Sequence, residues 1–520
     1  MLSQLSHAGA RHYSLGVREF RTELAVGSPW KVNCAVNPFA LFNQKNFKVQ
    51  GYNRTVFLRG VLGLILLLAP LSAFSDKLDD WAKSQMAANH IPGMVIGVYE
   101  AGRPKTVRAY GFADLEQGVP VRDNTLFEIC SITKQFTAAS ILMLAQDGKL
   151  GLDDPLIQYV PELPRSWADV TIREVMQHVS GMRDNVYDEE FTRCPFAAAI
   201  LRLSSQTPPK PKQDWSYCNM GYWFLGKVIQ NASGLPYYSF LQQRIFEPLG
   251  MMSTHPNTQG ALVPGRARGY AWDPVSKMNV NASMLNDVLG FGHGGLVSNA
   301  DDLNRWSEAL KNGSLLNAGS RAQMLTPALL EGGDTAYPEG MGSLGYGLGV
   351  FLGGSPAHRV EKHSGSWRDA SAQLTRFLDD DLTVVVLTNE GGWDERPWIG
   401  EEIGSFFLSG IQLPEWKVAP DPDPTILAHV MSLAESVARG EPDLSLASAS
   451  FWLELSNDPQ AWSTGMKLRG AQFVQRIPQG KHTIWLYLVP GSTAQLLQVE
   501  EDSDGRIAAM SSSAMPGAGR

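Results

Sequence analysis

The sequence predicts an α/β (α+β) chain, with antiparallel strands and helices sharing one large domain. Three observations carry this reading. A strand hairpin opens the domain, Ile91–Tyr99 and Lys105–Phe112 around a Gly102–Pro104 turn. A second hairpin closes it, Ser371–Phe377 and Leu382–Thr388 around Asp379–Asp381. Between them the apolar spacing is helical: Ile132, Phe136, Ala139, Met143 and Leu144 recur at intervals that predict an amphipathic helix.

In chain order, residues 1–75 have the composition of a leader. Arg54 and Arg59 precede an apolar core over 61–71, followed by small residues at Ala73 and Ser75. That core is shorter than the ~20 residues of a membrane span. The expectation is export to the periplasm or medium with no stable span after processing, the alternative being an uncleaved anchor. A helix over 78–88 precedes the first hairpin. The helix after Phe127 stops at Gly148, and Leu152–Pro155 is a turn. Thr171–His178 is a short helix capped by Thr171, and Pro208–Pro211 is a rigid loop that delivers Asp214–Asn219. Gly221–Ile229 is a buried helix. Phe291–Ser298 is a glycine-rich loop before a helix carrying Asp301, Asp302 and Trp306. The catalytic domain is therefore placed at 76–412 and a proline-rich linker at 413–424. A small α+β accessory domain follows at 425–520, with a helix near 425–438 and strands at His482–Val489 and Ala494–Val499. It carries no clustered chemistry.

Hydrophobic content of 44% and charged content of 18% fit a globular enzyme. The chain carries a net charge of −8, and residues 76–520, with 36 basic and 50 acidic side chains, carry −14. That excludes nucleic acid as a partner and polybasic docking on anionic lipid. Cys34 leaves with the leader, so Cys130, Cys194 and Cys218 remain, an odd number without zinc-site spacing. No metal or cofactor is expected. The sequence carries no signal for oligomeric state.

Ser131 stands at the entrance of the first long helix, with Lys134 one turn on. Residues three apart share a helix face. A buried lysine can take a serine's proton, and the helix N-terminus offers N–H groups to an oxyanion. The bare pattern is weak, since Ser28 and Lys31 match it inside the leader. Tyr217 and Asn219 form a second element: a phenol near an ammonium can act as base or acid, and a carboxamide can hold a lysine and a substrate carbonyl. Two His-x-Gly sequences compete for the third, His293 with Gly295 and His363 with Gly365. The strand hairpin that follows favours His363, because glycine lets substrate lie close to a strand edge. Cys130 and Cys218 sit inside two of these motifs, so bulky thiol reagents are expected to inhibit.

Ser131-x-x-Lys134, Tyr217-x-Asn219 and His363-x-Gly365, in that order, resemble the three motifs of the penicillin-recognising serine hydrolases. The text around Ile129–Thr137 and Trp215–Asn219 is similar to the branch holding class C β-lactamases, D-aminopeptidase and β-lactamase-like esterases. His178–Gly181, Ile245–Met251 and Gly294–Ser298 are similar to further landmarks of that family. The resemblance spans about 78–410 and implies an antiparallel sheet with helices on both sides, plus an all-helical lobe between the first and last motifs. It implies an acyl-enzyme mechanism. Ser131 is the nucleophile, Lys134 and Tyr217 share the base role, and Asn219 orients the acyl amide. The N–H groups of Ser131 and Ser366 hold the oxyanion. Trp367, Arg368 and Asp369 follow the motif, as pocket wall or as strand end. Histidine replaces the usual lysine of the third motif, which removes a permanent cation for a substrate carboxylate. No separate carboxylate is identified for deacylation. The expected substrate is a small peptide, amide or ester, foremost a D-amino-acid peptide; the alternatives are a carboxylesterase and a penicillin-binding sensor with little turnover.

Overall fold

The computed structural model describes residues 77–514, leaving aside 183–194, 206–209, 285–290, 337–344, 392–397, 414–417, 452–469, 490–494 and a few shorter stretches. The leader, Cys34 and Cys194 lie outside the described residues, as do Pro208 and Pro209 of the rigid loop.

β1 (Gly93–Glu100) and β2 (Arg103–Asp114) form the opening hairpin, extended by a short β3 (Val119–Pro120). β4 (Phe127–Glu128) leads into the Ser131 turn. Helices then dominate, interleaved with β5 (His255–Pro256), the hairpin of β6 (Tyr270–Asp273) and β7 (Met278–Asn281), and β8 (Leu296–Ser298). The chain returns through β9 (Gly345–Tyr346), β10 (Phe351–Ser355), β11 (His358–Trp367), β12 (Ala370–Phe377) and β13 (Leu382–Thr388). The main sheet is antiparallel, in the order β3-β2-β1-β13-β12-β11-β10-β9, so the first hairpin pairs with the last.

Alternation along the strands sorts side chains between two cores. Met94, Ile96, Val98, Val384 and Val386 face helices 77–88 and Ile399–Gly404. Val95, Tyr99, Val385 and Leu387 join the larger cluster that includes Phe136, Ile141 and Trp306 from helices Thr133–Gln146 and Ala300–Asn312. Helices cover both faces, so these strands read as near-continuous apolar runs.

Helix Thr133–Gln146 differs from its expected amphipathic form: every residue from Thr133 to Leu144 is buried. It lies between the sheet and the helical lobe, and Gln135, Thr137 and Ser140 find internal partners there. The Gln135 carboxamide oxygen accepts from Trp306 Nε1 at 2.8 Å, and Ser140 donates to Phe136 O at 2.7 Å. Polar groups buried with such partners avoid the ~1–3 kcal/mol cost of an unmade bond. The short helix Ile172–Met176 has the full capping box, Thr171 with Glu174.

Beyond the linker, helix Pro424–Ala438 starts at an Asp423 cap. A four-stranded antiparallel meander follows: β14 (Gln472–Gln479), β15 (His482–Val489), β16 (Gln495–Glu501) and β17 (Ile507–Ala514). Val430, Leu433, Trp485, Tyr487 and Leu497 share a separate apolar cluster. Among the described residues no helix is long and apolar enough to cross a membrane.

Candidate active site

The Ser131 turn is held from two sides. β4 pairs with β8, and Ile129 N–H donates to Leu296 O at 3.0 Å. A 3-10 turn over Cys130–Ile132 runs directly into the helix at Thr133. Cys130 has φ of +43°, a left-handed backbone that costs a side-chain-bearing residue ~1–3 kcal/mol. This strained corner sets Ser131, half-buried, at the helix entrance.

Lys134 is fully buried, and its ammonium nitrogen has three partners. It lies 3.0 Å from Ser131 Oγ, 2.7 Å from Asn219 Oδ1 and 3.1 Å from His293 O. Two of these are obligate acceptors and take two N–H groups. The serine hydroxyl can accept from the ammonium or donate to the neutral amine. The same geometry therefore serves a base that takes the Ser131 proton and an acid that returns it.

The His293 carbonyl reaches Lys134 because the glycine-rich loop lies flat against two helices. Gly292 has φ of +80°, and a Cβ there would stand 2.3 Å from Tyr222 O. Its own carbonyl accepts from Thr137 Oγ1 at 2.6 Å. The second His-x-Gly sequence thus reaches Lys134 through its backbone.

Tyr217 presents its ring to the lysine, whose nitrogen is 4.6 Å from the ring centroid. The motif is pinned by His178. The backbone carbonyl of His178 accepts from Ser216 N–H at 2.9 Å, and its Nδ1 accepts from Cys218 N–H at 3.1 Å. That bond makes His178 an Nε2–H tautomer. Its ring stands 4.5 Å from the Tyr217 ring, centroid to centroid. Burial and the Lys134 charge hold its pKa well below the ordinary histidine value, so it stays neutral. Cys218 caps helix Asn219–Ser233, its sulfur accepting from Gly221 N–H at 3.3 Å, which sets Asn219 at the first helical position.

β11 runs along the other side of the turn. A Cβ on Gly365 would fall 2.3 Å from Ile129 O and 2.8 Å from Ser131 N. Only glycine lets the strand pass this close. Ser366 follows it, opposite Ser371 in the ladder. His363 is 1% exposed. Its Nδ1–H donates to Ser364 O at 2.5 Å, and its Nε2 accepts from Tyr346 Oη at 3.1 Å. Burial and the Lys134 charge push its pKa down to about 3. His363 therefore offers no cation, and both ring nitrogens are committed to the protein. In this structure the imidazole is turned into the protein, away from solvent.

The structure thus joins Ser131, Lys134, Asn219 and Tyr217 at one point, with Gly365 and Ser366 alongside and His363 embedded behind two bonds. Sequence reasoning missed Tyr346, and it read His178 only as a landmark. The run Gly345-Tyr346-Gly347 was the available signal for Tyr346: a lone aromatic among glycines marks a close backbone approach. Asp369 is not an open pocket wall. It is 3% exposed, and burial raises its pKa to about 7, against the lowering effects of a Glu128 hydrogen bond and the Arg266 charge. Cys130 and Cys218 are both buried free thiols, which removes the basis for expecting reagents to reach them.

Comparison with known proteins extends this picture. A family model described as Beta-lactamase matches residues 78–399. Penicillin-binding protein 4* of Bacillus subtilis (strain 168) is 29% identical over 302 residues, 54% of this chain and 64% of that protein. A D-aminopeptidase of Brucella anthropi is 28% identical over 313 residues, 58% of this chain and 57% of that protein. The chain thus spans 57–64% of the length of these relatives. Among solved structures, the octameric penicillin-binding protein homologue from Pyrococcus abyssi aligns with a TM-score of 0.57 at 21% identity, over 82% of this chain and 90% of that one. D-amino acid amidase from Ochrobactrum anthropi SV3, complexed with L-phenylalanine amide, aligns at 0.54 and 24% identity, over 65% and 96%. At these identities the structural likeness speaks for the fold.

Proposed function

Since the chain belongs to the beta-lactamase family, a family of serine hydrolases, we propose that it cleaves neutral amides of D-amino acids through an ester on Ser131. One observation carries this: the buried Lys134 nitrogen, held by the acceptors Asn219 Oδ1 and His293 O, lies 3.0 Å from Ser131 Oγ. Ser131 attacks the carbonyl as Lys134 takes its proton, with the Tyr217 phenol beside the ammonium. The Ser131 N–H and the Ser366 N–H receive the oxyanion, donors of a kind that each contribute ~3 kcal/mol. Tyr217 delivers a proton to the leaving amine, and water then releases the acyl group by the reverse path. The buried, neutral His363 supports an uncharged leaving group over a free carboxylate. The D-aminopeptidase named above supports the stereochemistry.

A carboxylesterase is the second reading, supported by the same neutral His363 and by the half-buried aromatic rings of Trp215 and Phe351 beside Tyr217 and His363. The Arg-flanked apolar stretch at 61–71 supports export to the periplasm or medium.

A panel of D-aminoacyl p-nitroanilides, p-nitrophenyl esters and a β-lactam, run on the wild type and on Ser131→Ala, tests both readings. Turnover of the anilides is expected, with none in Ser131→Ala and an unchanged melting temperature. Ester turnover alone would move the assignment to the esterase. A Ser131→Ala variant that keeps more than a trace of activity would remove Ser131 as nucleophile.

A further inference from the structure

A second cleft, of about 160 Å³, opens where helix Ala300–Asn312 ends over the strand ends of β11, β12 and β13. Lys311, Arg321, Arg359 and Arg376 line it, against only Glu308 and Asp381. The cleft takes β11 at Arg359, whereas the Ser131 site takes it at Gly365. Six residues of strand, roughly 20 Å, separate the two.

Three of the four cations are already answered. Arg359 forks onto Asp379, with Nη2 2.6 Å from Oδ1 and Nε 3.0 Å from Oδ2. Lys311 pairs closely with Asp381. Arg376 is buried, donates to Ser307 O at 2.8 Å and lies 3.3 Å from Glu361. Arg321 differs. It donates to the Lys311 carbonyl and has no carboxylate within ion-pair distance among the described residues. Partial burial and the neighbouring Arg376 charge oppose its own charge, and Glu361 partly offsets them. With a carbonyl as its acceptor and no carboxylate in contact, the guanidinium has N–H groups to offer an anion. Arginine forks match the oxygens of phosphate in a bidentate manner.

We propose that this cleft binds a phosphate dianion, free or as the terminal group of a small monoester, with Arg321 as its principal ligand and Lys311 beside it. The site is independent of the hydrolytic centre and does not rest on its assignment.

The test is calorimetric titration of the full chain with inorganic phosphate, and separately with glycerol phosphate, in a phosphate-free buffer at constant ionic strength. Saturable binding at one site is expected, weakened ~10-fold or more, about 1.4 kcal/mol, by Arg321→Gln. Lys311→Gln, at a more exposed position, is expected to weaken it less and decides the matter if Arg321→Gln does not fold. Ester hydrolysis without phosphate should be unchanged in either variant. Binding of both titrants means the cleft accepts a monoester, and binding of inorganic phosphate alone means it takes the free ion. The proposal is overturned if no saturable heat appears, if both variants bind as well as wild type, or if acylation of Ser131 abolishes the signal.

Discussion

Gly365→Ala tests the placement of β11 against the Ser131 turn. The added methyl would stand 2.3 Å from Ile129 O, 2.8 Å from Ser131 N and 3.0 Å from Cys130 Cβ, where ordinary contact begins near 3.4 Å. Two of these three are backbone atoms, so no side chain can swing aside. Strand and turn must separate by roughly 1 Å, a misplacement that costs about 100-fold in rate when it falls on reacting groups. That corresponds to ~2.7 kcal/mol of transition-state stabilisation. Overpacking costs the fold a further ~1–3 kcal/mol. Steady-state kinetics on the preferred amide or ester should show the loss mainly in kcat, since the turn carries the proposed nucleophile and one proposed oxyanion donor. Thermal melting should show a folded protein with a lowered midpoint. Gly260→Ala is the control, because a Cβ there meets nothing within 4 Å. A Gly365→Ala variant whose kcat/KM stays within about threefold of wild type would refute the close packing and the placement of the oxyanion donors that depends on it.

Asn219→Asp replaces an obligate neutral acceptor of Lys134 with an anion at 2.7 Å. It should hold the lysine protonated, so kcat/KM falls ~10²-fold or more and the acid limb of the pH–rate profile moves to higher pH; an unmoved limb would deny Lys134 the base role. His178 and His363 stay neutral in the fold, whereas unfolded histidines protonate below about 6.5. The unfolded chain then binds more protons, so these two residues lose stability as pH falls from 6.5 toward 5. Asp369, raised to about 7, has the opposite sign, because the native state holds its proton and its contribution falls as pH rises through 7. Urea unfolding from pH 6.5 to 5 should show His363→Asn flattening the slope by about one proton, roughly 1 kcal/mol per pH unit; an unchanged slope would place His363 in solvent. Bulky thiol reagents should leave the folded enzyme active, since Cys130 and Cys218 are 1% and 2% exposed; rapid inhibition of the wild type, absent in a Cys130→Ala, Cys218→Ala double variant, would show that the motifs open in solution.

What could be read from the chain was local, and what could not was set by contacts distant in sequence. The closing hairpin was legible to within one residue, because the turn at Asp379–Asp381 and the apolar runs on either side need no distant partner to declare themselves. The buried helix was legible as a helix but not as a fully enclosed one. Its Thr133, Gln135, Thr137 and Ser140 look solvent-facing until Trp306, Tyr237 and Gly292 arrive from more than 90 residues away to bond Gln135 and Thr137. The first two motifs bring Ser131, Asn219 and Tyr217 to Lys134, while the contacts of each histidine are set by residues far away in sequence. His293 contributes a carbonyl, and His178 contributes a ring nitrogen to the Tyr217 segment. His363 is fixed by Tyr346, a residue no motif contains. A lysine at position 363 would bring a charge into this enclosed corner, beside the ammonium of Lys134 and opposite a phenol that accepts only weakly. Histidine fits there because it can be neutral, donating at one nitrogen and accepting at the other. The departure from the usual third motif is therefore coupled to Tyr346 and to the depth of burial, and the exchange of His363 alone for lysine would lack the solvent and the acceptors that a cation requires.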